Sequence, residues 1–326
     1  MVVRCPGAVF HLRWSTSNLA AAPHILHNYR QNLASLDEAV DGKLRLLALD
    51  RLQQPFTTLM TQLKPQLPVQ THFVLHDYLY SRSFYLEAKL TEDNQAVKPT
   101  LVRELDILPG EPLCSKQLID LDIDGWALRG YSSRDIELPA RKDRHPLLSI
   151  PSRVTIAHSG AQYFFKGFGP GGRGNVRELA IYRAIDKVDG ELSPRICRLH
   201  GLVVDHDSES GPRLIGMLLV YIKAKRPGIL GTLYCVAQDR ESLKHLPRWA
   251  DELESMVIGL HESGLGWGDA SPTNVLVDKD DNLWLVDFGG GFTNGWVDED
   301  LESTQAGDQQ ALGRIRNWFE ELIAGQ

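Results

Sequence analysis

Gly264-Leu-Gly-Trp-Gly-Asp-Ala-Ser-Pro-Thr-Asn-Val-Leu-Val-Asp-Lys-Asp-Asp-Asn-Leu-Trp-Leu-Val-Asp-Phe-Gly-Gly-Gly291 is the stretch whose reading decides the fold. Asn274-Val-Leu-Val and Leu283-Trp-Leu-Val are short apolar runs joined by the polar segment Asp278–Asn282, the pattern of a β-hairpin. A tight hairpin brings its strand ends together, so Asn274 and Asp287 are expected to be neighbours despite the thirteen positions between them. A carboxylate and an amide oxygen converging there suit a hard divalent cation such as Mg²⁺. Asp269, five positions before Asn274, is then placed to face an acceptor as a base or orienting group.

The rest of the chain sets bounds on that reading. Its 326 residues suffice for one large or two moderate domains, and 43% hydrophobic with 24% charged residues is a globular composition. A net charge of -7 gives no electrostatic reason to expect nucleic acid or an anionic membrane as partner. Cys5, Cys114, Cys197 and Cys235 lie far apart, which supports neither a zinc site nor a disulfide framework. No apolar run approaches the roughly 20 residues of a membrane helix, and the first residues do not read as a signal peptide. The expectation is a cytoplasmic protein.

Working outward from the hairpin, Leu246–Gly264 has helical spacing, with Trp249, Leu253, Met256, Val257 and Leu260 on one face. Thr304 to Phe319 reads as a further helix, in which Asp308 is either an N-cap or, as the resemblance given below implies, a brace for the loop at Asp269. Ser152–Ala157 and Gln162–Phe168 read as a hairpin whose second strand carries Lys166 among aromatic residues. Asn175 is expected to cap a helix over Val176–Ile185 with Glu178 in its first turn. Ser193–Val204 and Arg213–Ile222 read as two more strands. The glycine-rich Gly169–Gly174 lacks both the G-x-G-x-x-G spacing and a Walker lysine ending, so it reads as a connection rather than a phosphate cradle.

Residues 1–121 form a separate α/β region of unknown role, helical in pattern from His24 to Leu63 and strand-like from Thr71 to Leu90. His24, His27, His72 and His76 have no matching acidic or cysteine cluster, so a metal role for them is set aside.

Asp269-x-x-x-x-Asn274, two apolar strands and Asp287-Phe-Gly together resemble the catalytic loop and metal motif of the protein-kinase-like fold. The wording is similar to divergent fungal kinase-like proteins, and the Gly-Asp loop resembles aminoglycoside and choline kinase-like enzymes. The resemblance covers roughly Trp126 to Gln326. It implies an α+β, bilobal protein-kinase-like domain over 122–326, with a small β-rich N-lobe and a reduced helical C-lobe, preceded by an N-terminal extension.

The roles it implies are these. Lys166 holds the α- and β-phosphates of ATP and Glu178 aims it. Asp269 is the catalytic base, and Asn274 and Asp287 hold Mg²⁺. The backbone of Tyr221, Ile222 and Lys223 meets the adenine, and Ser132 and Ser133 are candidates to cover the phosphates. His261 matches a histidine that precedes the loop at the end of its helix. Gly268 stands where many protein kinases have arginine, which removes the usual cation before the catalytic aspartate. No Ala-Pro-Glu follows Asp287.

The function so implied is Mg²⁺-dependent transfer of the γ-phosphoryl group of ATP to a hydroxyl-type acceptor, a small molecule ahead of a protein Ser/Thr. ATP-dependent activation of a substrate for later bond formation, and a pseudokinase binding module, stay open as alternatives.

Overall fold

The computed structural model describes residues 1–38, 42–67, 72–113, 115–123, 125–140, 144–168, 173–188, 192–193, 195–206 and 211–325. The chain is mixed α+β and divides into two compact units. One comprises Met1–Leu108 with Ile136–Pro151, the other Pro109–Asp135 with Ser152–Gln326.

In the first unit, among the described residues, β1 (Val2–Cys5), β2 (Ala8–Arg13), β3 (Arg82–Leu90) and β4 (Val97–Leu105) form a four-stranded sheet in that order. β2 and β3 are parallel, and the connection between them carries α1 (Pro23–Glu38) and α2 (Gly42–Gln53). Alternate residues Ala8, Phe10 and Leu12 of β2 and Phe84, Leu86 and Ala88 of β3 share a core with Phe56 and Met60. Phe10 and Phe84 stack at 5.3 Å. The strand pattern of Thr71–Leu90 is interrupted, since Leu75–Leu79 is a short helix. Its first turn is stabilised by Asp77, whose carboxylate accepts from the Val74 N–H, and this local bond overrides the aromatic strand signal.

The second unit holds every residue of the expected site. β5 (Arg129–Tyr131), β6 (Arg153–Ile156), β7 (Gln162–Gly167), β8 (Leu199–Asp205) and β9 (Arg213–Val220) pair in the order β5-β8-β9-β7-β6. The expected hairpin is present as β6 against β7, with Arg153 opposite Phe164. Helix α3 (Arg173–Lys187) follows β7. It starts before Asn175, which lies inside the first turn instead of capping it.

Helix α4 (Leu246–Glu262) buries Leu246, Trp249, Leu253, Met256, Val257 and Leu260, the face its spacing marks out. Each such side chain removed from water contributes about 1.5–3 kcal/mol before entropic costs. β10 (Val275–Val277) and β11 (Leu283–Leu285) form the second hairpin, and α5 (Gln305–Ala324) closes the chain. Thr304 caps α5 by accepting from the Gly307 N–H.

One apolar core runs through this unit, from Leu202, Met217 and Leu219 of the sheet to Leu179 and Tyr182 of α3, Leu283 and Leu285 of the hairpin and Phe319 of α5. The hairpin is tied to the sheet side by backbone bonds from Cys197 N to Leu285 O and from Lys225 N to Val277 O. Among the described residues, no helix is long and apolar enough to cross a membrane.

Candidate functional site

Lys166 is the centre of an ionic cluster. Its strand, β7, is held in register against β9 with Lys166 opposite Met217. The ammonium lies 2.6 Å from Glu178 Oε2 and 2.8 Å from Asp287 Oδ1. Glu178 is 1% exposed, so its carboxylate depends on that cation. Burial opposes the charge on Lys166, but Glu178 and then Asp287 outweigh it, and the lysine pKa lies above its ordinary value. Burial lifts the Glu178 carboxyl above the usual range, with Lys166 pulling it back. A lysine ammonium has three donors; one bonds Asp287 Oδ1 and a second faces Glu178 as an ion pair, which leaves a third for another acceptor.

Asp287 reaches the cluster through an uncommon backbone state, with φ at +62°. A non-glycine residue held there marks a position the surroundings over-determine, often at a functional site. The next residue supplies the hold. Phe288 is fully buried and meets Tyr182 of α3 edge-on at 5.4 Å. The helix that carries Glu178 and the turn that carries Asp287 are thereby packed on each other.

The loop of Asp269 is braced from behind. Asp308, 1% exposed, accepts from the backbone N–H of Trp267 and of Gly268, each at 2.8 Å. His261 Nε2 lies 2.9 Å from the same carboxylate. Of the two readings of Asp308, the structure selects the brace, and Thr304 is the cap. The indole of Trp267, wholly buried, donates to Val286 O and ties the loop to the residue before Asp287.

Asn274 is adjacent to this turn as the hairpin pattern requires: Val286 N donates to Asn274 O at 3.1 Å. Its amide also donates to Asp269 O at 2.9 Å and to Asp269 Oδ2 at 3.0 Å. The other carboxylate oxygen, Asp269 Oδ1, accepts from the Thr293 hydroxyl at 2.9 Å.

Glu178 has a neighbour that sequence reasoning left without a role. Arg177 turns the other way, and its guanidinium packs against Gly268 and Gly290 while donating to Ser303 O at 3.3 Å. Gly268 does lack a side-chain cation, yet a cation from α3 stands beside it. The signal for this was a pair of glycines on the two loops, each admitting close approach of another group, with φ of +92° and +77°.

Ser132 and Ser133 are not brought to Lys166. They follow β5, which pairs with β8, two strands removed from β7. Both hydroxyls donate to the buried carboxylate of Asp205. Tyr221, Ile222 and Lys223 follow β9 and lead directly into the bridge between Ala224 and Asp278, so they join the sheet to the hairpin. Of Gly169–Gly174, residues 169–172 lie outside the described residues.

The donors fit magnesium. Asp287 and the amide oxygen of Asn274 offer hard oxygen donors of the kind Mg²⁺ takes at one hairpin end, and Asn274 uses its amide hydrogens on Asp269. Among the described residues there is no group of three or more His, Cys, Asp or Glu placed to hold a metal. Mg²⁺ needs none, because it is bound through one or two protein ligands with water and substrate phosphates.

No protein-family model matches the chain. A stretch of 107 residues, 32% of the chain, is 32% identical to maternal embryonic leucine zipper kinase of Xenopus laevis, covering 15% of that protein. The Xenopus tropicalis protein of the same name matches to the same extent. Over 115 residues, 35% of the chain, it is 30% identical to the fatty acyl-CoA synthetase and RNA processing-associated kinase 1 of Saccharomyces cerevisiae, covering 12% of it. The chain thus spans 12–15% of these relatives' length, and about a third of it is similar to kinases.

Proposed function

We propose that the second unit is a bilobal protein-kinase-like domain that transfers the γ-phosphoryl group of ATP, with Mg²⁺, to a hydroxyl acceptor. The observation that carries the reading is the convergence of Lys166, Glu178 and Asp287 within ion-pair distance, together with Asp269 held by Asn274 on the adjoining loop. The partial similarity to kinases supports it.

In this reading β5–β9 with α3 form the nucleotide side and α4, the hairpin and α5 the acceptor side. Glu178 keeps the Lys166 ammonium aimed, and its remaining donor meets a phosphate oxygen. Asp287 and Asn274 are the metal ligands, and bound Mg²⁺ supplies charge neutralisation on the phosphates. Asp269, oriented through Oδ2 by Asn274, holds the acceptor hydroxyl and takes its proton at Oδ1. Arg177 stands against the glycines of both loops and keeps α3 in step with them. Tyr221–Lys223 present backbone groups to the adenine. A small-molecule acceptor is favoured because Gly-Asp replaces the Arg-Asp of many protein kinases and no Ala-Pro-Glu follows.

The test is ADP release from MgATP by wild type and Asp269→Asn against a panel of small hydroxylated acceptors and Ser/Thr peptides. Turnover in wild type that Asp269→Asn loses is the expected result. Equal turnover in the variant would remove Asp269 from its role.

A further inference from the structure

We propose that the ring of Phe164 stacks on the nucleobase of the phosphoryl donor and makes the site tolerant of which base it is. The donor class is then nucleoside triphosphates in general rather than ATP alone. The inference rests on the reading of Lys166 as the residue that meets the donor's phosphates. Side chains two apart on a strand share a face, about 6.5–7 Å from each other, and Phe164 stands two before Lys166 on β7. The register agrees: Lys166 lies opposite Met217 and Phe164 opposite Leu219 of β9. Met217 and Leu219 both belong to the core shared with α3. Phe164 is therefore on the Lys166 side of the sheet.

Of the three consecutive aromatic residues on β7, two are spent on the opposite face. Tyr163 stacks on His200 at 3.9 Å, and Phe165 is buried. Phe164 between them is 37% exposed and, among the described residues, meets no other ring. Its cross-strand neighbour Leu219 is buried, so the opening lies at the ring of Phe164 and not at the strand beside it. Two residues beyond Leu219 the chain reaches Tyr221, where the backbone assigned to the base begins. Phe164 thus lies between the two ends of the donor. A nucleotide with its base at Tyr221–Lys223 and its phosphates at Lys166 has to pass this ring.

A base is told from another base by hydrogen bonds to its edge, whereas an aromatic side chain meets its face. Every base has a π-face, so stacking adds affinity with little regard to which base is present. By alanine substitution such a contact is worth about 5- to 150-fold in binding. A donor held mainly by its phosphates at one end and by its base face on Phe164 is recognised as a nucleoside triphosphate first and as a particular base second.

The experiment is calorimetric titration of the full chain, with Mg²⁺ present, against ATP, GTP, CTP, UTP and inorganic tripolyphosphate. Wild type, Phe164→Ala and Phe164→Trp are compared. Wild type is expected to bind the four nucleotides within about fivefold of one another and tripolyphosphate more weakly. Phe164→Ala is expected to weaken all four by about 5- to 150-fold and to leave tripolyphosphate unchanged. The tripolyphosphate arm also shows that the variant is folded at Lys166. Phe164→Trp, which keeps a stacking face, is expected to hold all four nucleotides at least as tightly as wild type.

Tighter binding of ATP by Phe164→Ala overturns the inference, because the ring would then fill the place of the base instead of stacking on it. Binding of ATP with the other three weaker by about 100-fold or more overturns the base tolerance. Nucleotides bound no better than tripolyphosphate overturn the stacking. Each of these leaves the phosphate role of Lys166 intact. Absence of binding by all five compounds to wild type overturns that role and the inference together.

Discussion

The guanidinium of Arg177 occupies the volume that a β-carbon on Gly268 would need. The same group lies 2.7 Å from where a β-carbon on Gly290 would sit, so one side chain of α3 is seated against two loops. Gly268→Ala therefore meets the arginine and also forces alanine to a φ of +92°. Together these are expected to lower stability by about 1–3 kcal/mol. Arg177→Ala removes the first problem and not the second. In a urea-denaturation cycle the double variant is expected to be more stable than the sum of the singles by about 0.5–1.5 kcal/mol. Strict additivity would show that the arginine does not fill that space.

Removing the lysine exposes the dependence of Glu178 on its partner. Lys166→Met leaves a buried carboxylate uncompensated, at a cost of about 3–5 kcal/mol near neutral pH. Burial already raises the Glu178 pKa, and the variant loses the cation that pulled it back. A raised folded-state pKa gives stability that is fully present below the unfolded carboxyl value of about 4.3 and is lost as pH rises through the folded value. The deficit relative to wild type should thus be smallest near that lower limit and grow towards neutrality. Melting temperatures of both proteins across this range check it, and a deficit flat with pH would contradict it.

Asp308 satisfies two backbone donors of the loop that carries Asp269. Its replacement by alanine leaves both buried N–H groups unpaired, each worth about 1–3 kcal/mol. A loss of about 2–5 kcal/mol in chemical denaturation is expected, with a fall in kcat larger than any change in KM for ATP. A change confined to KM would place Asp308 outside the support of Asp269.

Burial pushes the Cys197 thiol up to about 12. At pH 8 the native chain is expected to keep this cysteine unmodified by iodoacetamide while denatured chain reacts fully. Peptide mass mapping after timed alkylation reads the difference, and rapid native labelling of Cys197 would count against the packing beneath α3.

How much of this was legible follows from the range of the interactions. The hairpin that joins Asn274 to Asp287 is a local feature, with alternating apolar runs and a polar turn within fourteen residues, and it forms as written. The buried face of α4 is equally local. Lys166 stands out in the sequence as a lysine among aromatics and Glu178 as a carboxylate near a helix start, but their joint role comes from the resemblance, and their ion pair depends on how α3 packs against β7. Successive helix residues point about 100° apart, so Arg177 and Glu178 had to face different partners. Nothing near them in sequence says that one would reach a loop ninety residues later. The same applies to Ser132 and Ser133, whose buried partner Asp205 lies more than seventy positions away. Thr293 is a single hydroxyl after a glycine run, and only the folded loop puts it on Asp269.

The central claim is that Asp269 performs transfer and takes no part in holding nucleotide. Calorimetric titration with ATP, with and without Mg²⁺, followed by ADP release from the same preparations of wild type and Asp269→Asn, tests it most directly. The expected result is Mg²⁺-dependent binding within a few-fold in both proteins, with release lost by at least about 100-fold in the variant. No binding by wild type, or equal release from the two proteins, would contradict the account.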